Sequence, residues 1–158
     1  MERLYSYGLT SQYEHSGTFQ HIARMAAHIF HTPVALVNFV DNTAVYTNAS
    51  VGILACEVDR AISLCSIAIL KDTVTVFENA KEELCLLTNP IVHGELGIQF
   101  YAAAPICTPD GYNIGAVAVA DHSPRKFPQD KRRILEGLAA TVMDELEQMK
   151  WRQVGFRN

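Results

Sequence analysis

The four cysteines are the residues of this sequence whose side chains could act most readily as nucleophiles or metal ligands. They are separated by 8, 19 and 21 residues, at Cys56, Cys65, Cys85 and Cys107. None of these spacings is the CxxC or CxxH that closes a structural zinc site, so we expect no metal site. In a cytoplasmic chain the cysteines should be reduced thiols, unless some of them take part in redox chemistry.

Other common catalytic and metal-binding patterns are missing from the sequence. Its six histidines form no ligand pattern, and His93, in a predicted loop, is the one worth testing. The sequence has no glycine-rich phosphate loop, no nucleophile elbow and no HExxH motif. It therefore favours a binding module over a conventional hydrolase.

Polar residues on or directly after three of the predicted strands are candidates for contacting a ligand. Asn38 is the one polar side chain on its face of a valine- and leucine-rich strand, and a buried amide needs hydrogen-bond partners. Tyr101 must point to the opposite face from Phe100, either towards a ligand or into ordinary packing. Asp121 and His122 end the last predicted strand, where they either hold a polar ligand group or form an exposed turn pair.

Apolar periodicity predicts the elements that must position these residues. Residues 19–30 form an amphipathic helix that Thr32 and Pro33 terminate, because proline lacks the amide hydrogen of a continuing helix. A Pro109-Asp110-Gly111 turn joins the last two strands. The remaining predictions are strands at 34–40, 44–49, 73–77, 98–107 and 114–121, and helices at 62–70 and 128–149.

The order of these elements predicts an α+β domain. An antiparallel sheet would carry the N- and C-terminal helices on one face. Residues 78–97 combine one helical turn at 80–84 with Asn89, Pro90, Gly94 and Gly97, which indicates mostly loop. The other face of the sheet is thus left for a ligand pocket beneath this loop.

Composition limits the class of protein. The chain of 158 residues, with 49% apolar and 19% charged residues, is expected to fold as one soluble domain spanning 1–158. The uncharged stretch at 96–108 is too short to cross a bilayer, and the N-terminus does not read as a secretory signal. A net charge of −4 does not suggest nucleic-acid binding. We expect a cytoplasmic protein that binds neither membrane nor nucleic acid.

Several segments resemble the GAF domain family, specifically its members found beside sensor kinases and cyclic-dinucleotide enzymes. The match runs in order from about residue 7 to 147 and is carried by 19–26 (FQHIARMA), 33–41 (PVALVNFVD), 62–69 (ISLCSIAI), 100–106 (FYAAAPI), 109–115 (PDGYNIG) and 119–121 (VAD). The resemblance implies a sheet with helices on one face and a ligand pocket on the other. It does not identify the ligand, because a shared fold does not fix function.

The resemblance adds two residues to the candidate site. Cys65 lies in the family's serine-x-cysteine stretch and would face the pocket, although a small buried thiol explains it as well. Tyr46, on the strand next to Asn38, would close the same cavity. The full set of candidate ligand-binding residues is Asn38, Tyr46, Cys65, Tyr101 and Asp121.

We expect a sensory or regulatory module that binds a small molecule of unknown identity. The chain shows no output domain, so it is either an excised sensor or a protein that acts on a signalling partner in trans. An alternative is a free methionine sulfoxide reductase, whose cysteines would occupy regions comparable to Cys56, Cys65 and Cys85. There a thiolate attacks the sulfoxide sulfur and a second cysteine resolves the intermediate. A third alternative is a dimerisation module with a vestigial pocket.

The last predicted helix also suggests a homodimer. It carries an apolar stripe at alternating spacings of three and four residues, namely Leu135, Leu138, Val142, Leu146 and Met149. This stripe is long enough to cover the sheet and to contact a second copy of the chain. We therefore expect a dimer through the first and last helices.

Overall fold

The computed structural model describes residues 19–40, 44–52, 58–59, 73–82 and 98–157. These form an α+β domain, as predicted. The elements in chain order are α1 (Gln20–Phe30), β1 (Val34–Val40), β2 (Ala44–Val51), β3 (Val58–Asp59), β4 (Thr75–Phe77), a 3₁₀ turn (Ala80–Glu82), β5 (Phe100–Cys107), β6 (Asn113–Asp121) and α2 (Gln129–Arg157). The predicted helix at 62–70 and most of the predicted loop at 78–97 lie outside the described residues.

The strands form one antiparallel sheet in the order β3-β2-β1-β6-β5-β4. The two hairpins β1–β2 and β5–β6 are joined through the β1–β6 pair, which places the first and last long strands at the centre. Both central strands are almost wholly buried. A strand buried on both faces needs apolar residues throughout, and this explains why β1 and β6 lack the polar alternation of a surface strand.

Helix α1 ends where the sequence predicts. His31 takes a left-handed conformation with φ of 53°, and the Thr32 amide donates to the Ala27 carbonyl oxygen at 3.1 Å. This arrangement satisfies a carbonyl that the helix itself leaves unpaired. The chain then turns through Pro33 directly into β1, so that α1 and β1 pack against each other.

The β5–β6 hairpin closes through the predicted turn. Gly111 has φ of +93°, a conformation open to glycine but strained for other residues, and its amide donates to the Thr108 carbonyl oxygen at 3.0 Å. The Thr108 hydroxyl donates to Asp110 Oδ1 at 2.6 Å and accepts from the Tyr112 amide at 3.0 Å. These bonds fix the register of β5 against β6, on which the placement of Tyr101 depends.

Both helices cover the same face of the sheet, as predicted. Their apolar side chains form one buried cluster with every second residue of β1, β5 and β6. The rings of Phe30 and Phe100 contact Phe127 at centroid distances of 5.3 and 5.6 Å. Four residues of the predicted apolar stripe on α2 are buried here, namely Leu135, Leu138, Val142 and Leu146. The stripe therefore packs on its own sheet, while the side chain of Met149 lies outside the described part.

Helices long and apolar enough to span a bilayer are missing from the part of the chain that the structure describes.

Candidate functional site

The sheet face opposite the helices has a centre made of alanine. Alternation sends Ala103 of β5 and Ala116, Ala118 and Ala120 of β6 to this face, where all four are buried. We call these four residues the alanine floor. A methyl group projects little from the strand, so the alanine floor projects less from the sheet than the longer side chains around it.

The register shows what surrounds the floor. Two rows cross the sheet from β4 to β1, namely Phe77–Tyr101–Ala120–Val34 and Thr75–Ala103–Ala118–Leu36, and a third runs from β5 to β1 as Pro105–Ala116–Asn38. The distance from β4 to β1 is three strand spacings, roughly 14 Å. Larger side chains therefore stand on both sides of the small ones, and we call this face of the sheet the basin.

Three polar side chains stand at the edge of the alanine floor. Asn38 is 4% exposed, and Tyr101 and Thr75 are each 3% exposed. The Tyr101 ring stacks on Phe77 with a centroid distance of 6.4 Å and an interplanar angle of 27°. Thr75 and Tyr101 lie on adjacent strands one row apart, a separation of about 7–8 Å. Thr75 and Tyr101 thus flank Ala103, while Asn38 stands at the far side of the floor.

Thr75 is the functional candidate that sequence reasoning missed. Among the described residues its hydroxyl oxygen has no hydrogen-bond partner, although that atom is fully buried. Leaving a buried hydroxyl unpaired costs about 1–3 kcal/mol, so such a group calls for an explanation. In the sequence, Thr75 is visible only as a threonine on the same strand face as Phe77. Its importance becomes apparent only when the sheet shows that this face carries the alanine floor.

The position of Asn38 is fixed by a close approach of two strands. Gly115 of β6 lies so near the backbone of Asn38 that a Cβ atom at Gly115 would overlap the Asn38 carbonyl oxygen. The register between β1 and β2 also shifts between Val37 and Asn38. The extra residue of this bulge is Asn48 on β2, and Asn38 keeps its regular pairing with Ala116 of β6. The pairing of the main chain therefore fixes the position of Asn38.

Asp121 lies on the other face of the sheet. It is in register with Phe100, which belongs to the helix-side cluster. Its Oδ2 atom accepts a 2.5 Å hydrogen bond from Arg125 Nη2, and its Oδ1 atom accepts from the Ser123 amide at 3.3 Å. The structure therefore brings Asn38 and Tyr101 to one face but does not bring Asp121 with them.

The other predicted site residues are only partly described. The backbone of Tyr46 lies in β2, in register with Phe39, but its side chain is outside the described part. Cys65 lies outside the described residues, as do the other two cysteines of the predicted redox set, Cys56 and Cys85. Cys107 is described and exposed, at the end of β5.

The described part of the basin carries no full charge. Its side chains are apolar, apart from the hydroxyl of Thr75, the amide of Asn38 and the phenol of Tyr101. Groups of three or more potential metal ligands are not found among the described residues. The surface can therefore offer hydrogen bonds and apolar contact, and a ligand enclosed here would have its polar groups satisfied by uncharged partners.

Comparisons with known proteins agree with the resemblance found in the sequence. The GAF domain model matches residues 14–146. A cyclic di-GMP phosphodiesterase of Pseudomonas aeruginosa is 34% identical over 134 residues, which are 84% of this chain and 23% of that protein. The chain thus spans less than a quarter of the length of this curated relative.

Solved structures show the same fold at low sequence identity. The GAF domain of an Acinetobacter phosphoenolpyruvate-protein phosphotransferase has a TM-score of 0.69 and 15% identity, with 98% of each chain covered. A free methionine-R-sulfoxide reductase from Neisseria meningitidis, solved with its substrate, has a TM-score of 0.70 and 17% identity, over 94% of this chain and 84% of that one. At such identity these likenesses establish the architecture alone, and an enzyme and a domain of another protein share it equally.

Proposed function

We propose that this chain, which belongs to the GAF domain family, is a sensory module of signal transduction that binds a small molecule over the alanine floor. The observation that carries the proposal is the buried, unpaired hydroxyl of Thr75 beside a basin of alanine side chains. A ligand that hydrogen-bonds to Thr75 recovers the free energy that the empty site loses.

The ligand is a neutral or weakly polar molecule with a flat body. Alanine methyl groups make a smooth surface on which a planar molecule loses little contact, and the stacked rings of Phe77 and Tyr101 form an apolar side wall. The Thr75 hydroxyl offers a donor and an acceptor, and the Asn38 amide stands at the opposite side of the floor. These groups fix the orientation of the ligand, while the apolar surface supplies most of the affinity.

The output of the module is a signalling activity carried by another domain or by a partner in trans. The curated relative is a cyclic di-GMP phosphodiesterase, and the match covers only a part of it that corresponds to this chain. A GAF domain next to a phosphodiesterase of this kind is suited to change the rate at which a cyclic dinucleotide is hydrolysed. That rate would depend on which ligand occupies the basin.

The same chain is proposed to form a homodimer through surfaces of its helices. The buried side chains of the α2 stripe are used by the sheet, so they are not free for a partner. Among the described residues, the exposed apolar side chains of the two helices are Met25 and Ile29 on α1 and Ile134 on α2, at 45%, 39% and 43% exposure. These three define the surface through which a second copy would pack.

The direct test is to identify what the purified protein carries. Native mass spectrometry of the full chain, followed by release on denaturation, should yield a neutral small molecule, and ligand-observed NMR with a library of neutral planar fragments should find binders. Retention should fall in Thr75→Val, Asn38→Leu and Ala103→Leu. It should persist in Thr141→Val, since that hydroxyl donates to the Gly137 carbonyl oxygen on the outer side of α2.

Two results would contradict the proposal. One is a ligand whose retention is unchanged in all three basin variants. The other is robust turnover of free methionine sulfoxide with a thiol reductant, lost in Cys85→Ser and impaired in Cys56→Ser, which would assign the chain to the enzymatic alternative. We expect no such turnover from the wild-type protein.

A further inference from the structure

The wall of the basin formed by β4 is hydrogen-bonded to the start of α2. Glu78 follows directly after Phe77, the last residue of β4. Its carbonyl oxygen accepts from the Arg125 amide at 3.1 Å, and its Oε2 atom accepts from the Phe127 amide at 2.6 Å. One residue therefore ties the edge of the basin to the segment that leads into the last helix.

Phe127 in turn anchors the first turn of α2. Its ring is buried between Phe30 and Phe100, and its carbonyl oxygen accepts from Arg132 Nε at 3.1 Å. The next residue, Pro128, lacks an amide hydrogen and accepts from the Arg132 amide at 3.2 Å. The Glu78 carboxylate also stands at the end of the helix that favours negative charge. The position of Phe127 therefore sets where α2 begins.

Arg125 extends the same connection to α1. Its Nη1 atom donates to the Phe30 carbonyl oxygen at 2.8 Å, and its Nη2 atom donates to the His31 carbonyl oxygen at 3.0 Å and to Asp121. A guanidinium at the C-terminal end of a helix stabilises carbonyls that the helix leaves unpaired. The short segment from Asp121 to Phe127 thus joins β4 to one end of each helix.

Strand β4 is the part of the basin that can shift most easily. It is three residues long and, within the described sheet, pairs only with β5. Segments with few contacts to the rest of a fold have low free energies of local opening, and a short strand with one neighbouring strand has few such contacts. The opposite wall on β1 pairs with strands on both sides and should move little.

We infer that Glu78 is a positioning residue that couples occupancy of the basin to the stability of the first turn of α2. This inference rests on the proposed function only in identifying the occupant as a ligand. An occupant in contact with Thr75 favours one position of β4, and Glu78 transmits that position to Phe127 through a single hydrogen bond. Because coupling between two sites is reciprocal, a partner that holds the start of α2 would also change affinity in the basin.

The experiment replaces the unidentified ligand with a side chain. Ala103→Leu places extra bulk on the floor next to Thr75, and amide hydrogen exchange measured by NMR over residues 129–135 reports the first turns of α2. Exchange should change by about fivefold or more, the low end of typical coupling between sites, when Ala103→Leu is introduced into the wild-type protein. The same substitution in a Glu78→Ala background should change it by less than about twofold.

Two further backgrounds separate coupling from a general loss of structure. Glu82→Ala removes an exposed carboxylate four residues away in the 3₁₀ turn and should leave the full response intact. Glu78→Gln keeps an acceptor oxygen for the Phe127 amide and should restore the response. If Ala103→Leu does not fold, Thr75→Val perturbs the same row more gently and serves in its place.

Equal responses in the wild-type and Glu78→Ala backgrounds would overturn the inference, as would the lack of any response in the wild type. Neither measurement uses a ligand. A failure to find a bound compound would therefore contradict the proposed function while leaving this test standing, and a failure of this test would leave the proposal of ligand binding standing.

Discussion

The two faces of the central sheet are built from the same strands but differ in the size of their side chains. On the helix side, β5 presents Phe100, Ala102, Ala104 and Ile106 to a cluster that also holds four further phenylalanines and the leucines of α2. On the opposite side, the middle of the sheet is alanine, and the polar groups stand at its edges. On the helix face, large side chains of the protein fill the space above the sheet. At the centre of the basin face, the strands carry only the methyl groups of alanine.

This difference separates the part of the sequence that specifies the fold from the part that is available for binding. Close packing of large side chains gives most of the free energy of folding, and the helix face has most of those among the described residues. The basin contributes less apolar area and contains a hydroxyl that the described structure leaves unpaired. Local rules of stability are commonly broken at functional sites, which is the pattern seen here.

The largest expected effect comes from removing a side chain on the helix face. Leu146→Ala should lower the free energy of unfolding by about 2–5 kcal/mol, because this side chain is fully buried against the sheet and its loss leaves a cavity. Ile134→Ala, on the same helix but 43% exposed, should cost less than about 0.5 kcal/mol. Chemical denaturation of both variants measures the difference, and similar losses would mean that α2 does not cover the sheet through this stripe.

The second prediction compares neighbouring alanines of β5 that face opposite ways. Ala102→Leu adds bulk to the filled helix face and should cost about 1–3 kcal/mol. Ala103→Leu adds the same bulk to the basin and should cost less than about 1 kcal/mol, since space meant for a ligand can accept it. Thermal or denaturant unfolding gives both values.

The outcome of that pair decides between two views of the basin. If Ala103→Leu is as costly as Ala102→Leu, the basin is filled by the protein's own side chains. The chain would then be a pure interaction module with a vestigial pocket, which is the third alternative that the sequence leaves open.

Much of the fold follows from periodicity and turn chemistry in the sequence. The strand at Val34–Val40 was predicted with its observed bounds, and the helix ending at Phe30 followed from apolar spacing and Pro33. Alternation also placed Tyr101 on the face away from Phe100, and Asn38 among the apolar residues of its strand. Each of these depends on neighbours in the chain, which a single sequence contains.

The candidate site was harder to predict from the sequence, because it depends on contacts between segments that are distant along the chain. Asp121 was grouped with Asn38 and Tyr101 because it ends a strand, but register with Phe100 and the bond from Arg125 put it on the helix side. Thr75 has an ordinary place in a β-branched run, and only its register with Ala103 reveals a buried hydroxyl beside the floor. Such pairings are not encoded in local periodicity.

The third prediction concerns the unpaired hydroxyl. Thr75→Val removes it at nearly constant volume and should raise the free energy of unfolding of the ligand-free protein by about 1 kcal/mol, because a buried orphan group is lost. The same change should weaken ligand retention, so stability and binding would move in opposite directions. Thr141→Val on the surface of α2 should leave stability within about 0.5 kcal/mol. A destabilised Thr75→Val protein would show that the hydroxyl has a partner.

The last prediction tests the outer surface of the helices, where the smallest effect on folding is expected. The helices run antiparallel, because His21 on α1 contacts Glu145 on α2 at 3.1 Å while Phe30 and Phe127 meet at the opposite ends. Met25, Ile29 and Ile134 project away from the core.

Ile134→Glu should therefore leave the free energy of unfolding within about 0.5 kcal/mol of wild type, since the new carboxylate stays in water. It should nevertheless shift sedimentation from dimer to monomer, because a dimer would bury that carboxylate without a partner. Tyr112→Glu is the matched control, since Tyr112 is the most exposed large apolar side chain described but lies at the tip of the β5–β6 hairpin. Wild-type protein that sediments as a monomer at tens of micromolar, or a monomer produced equally by Tyr112→Glu, would remove the helices as the dimer surface.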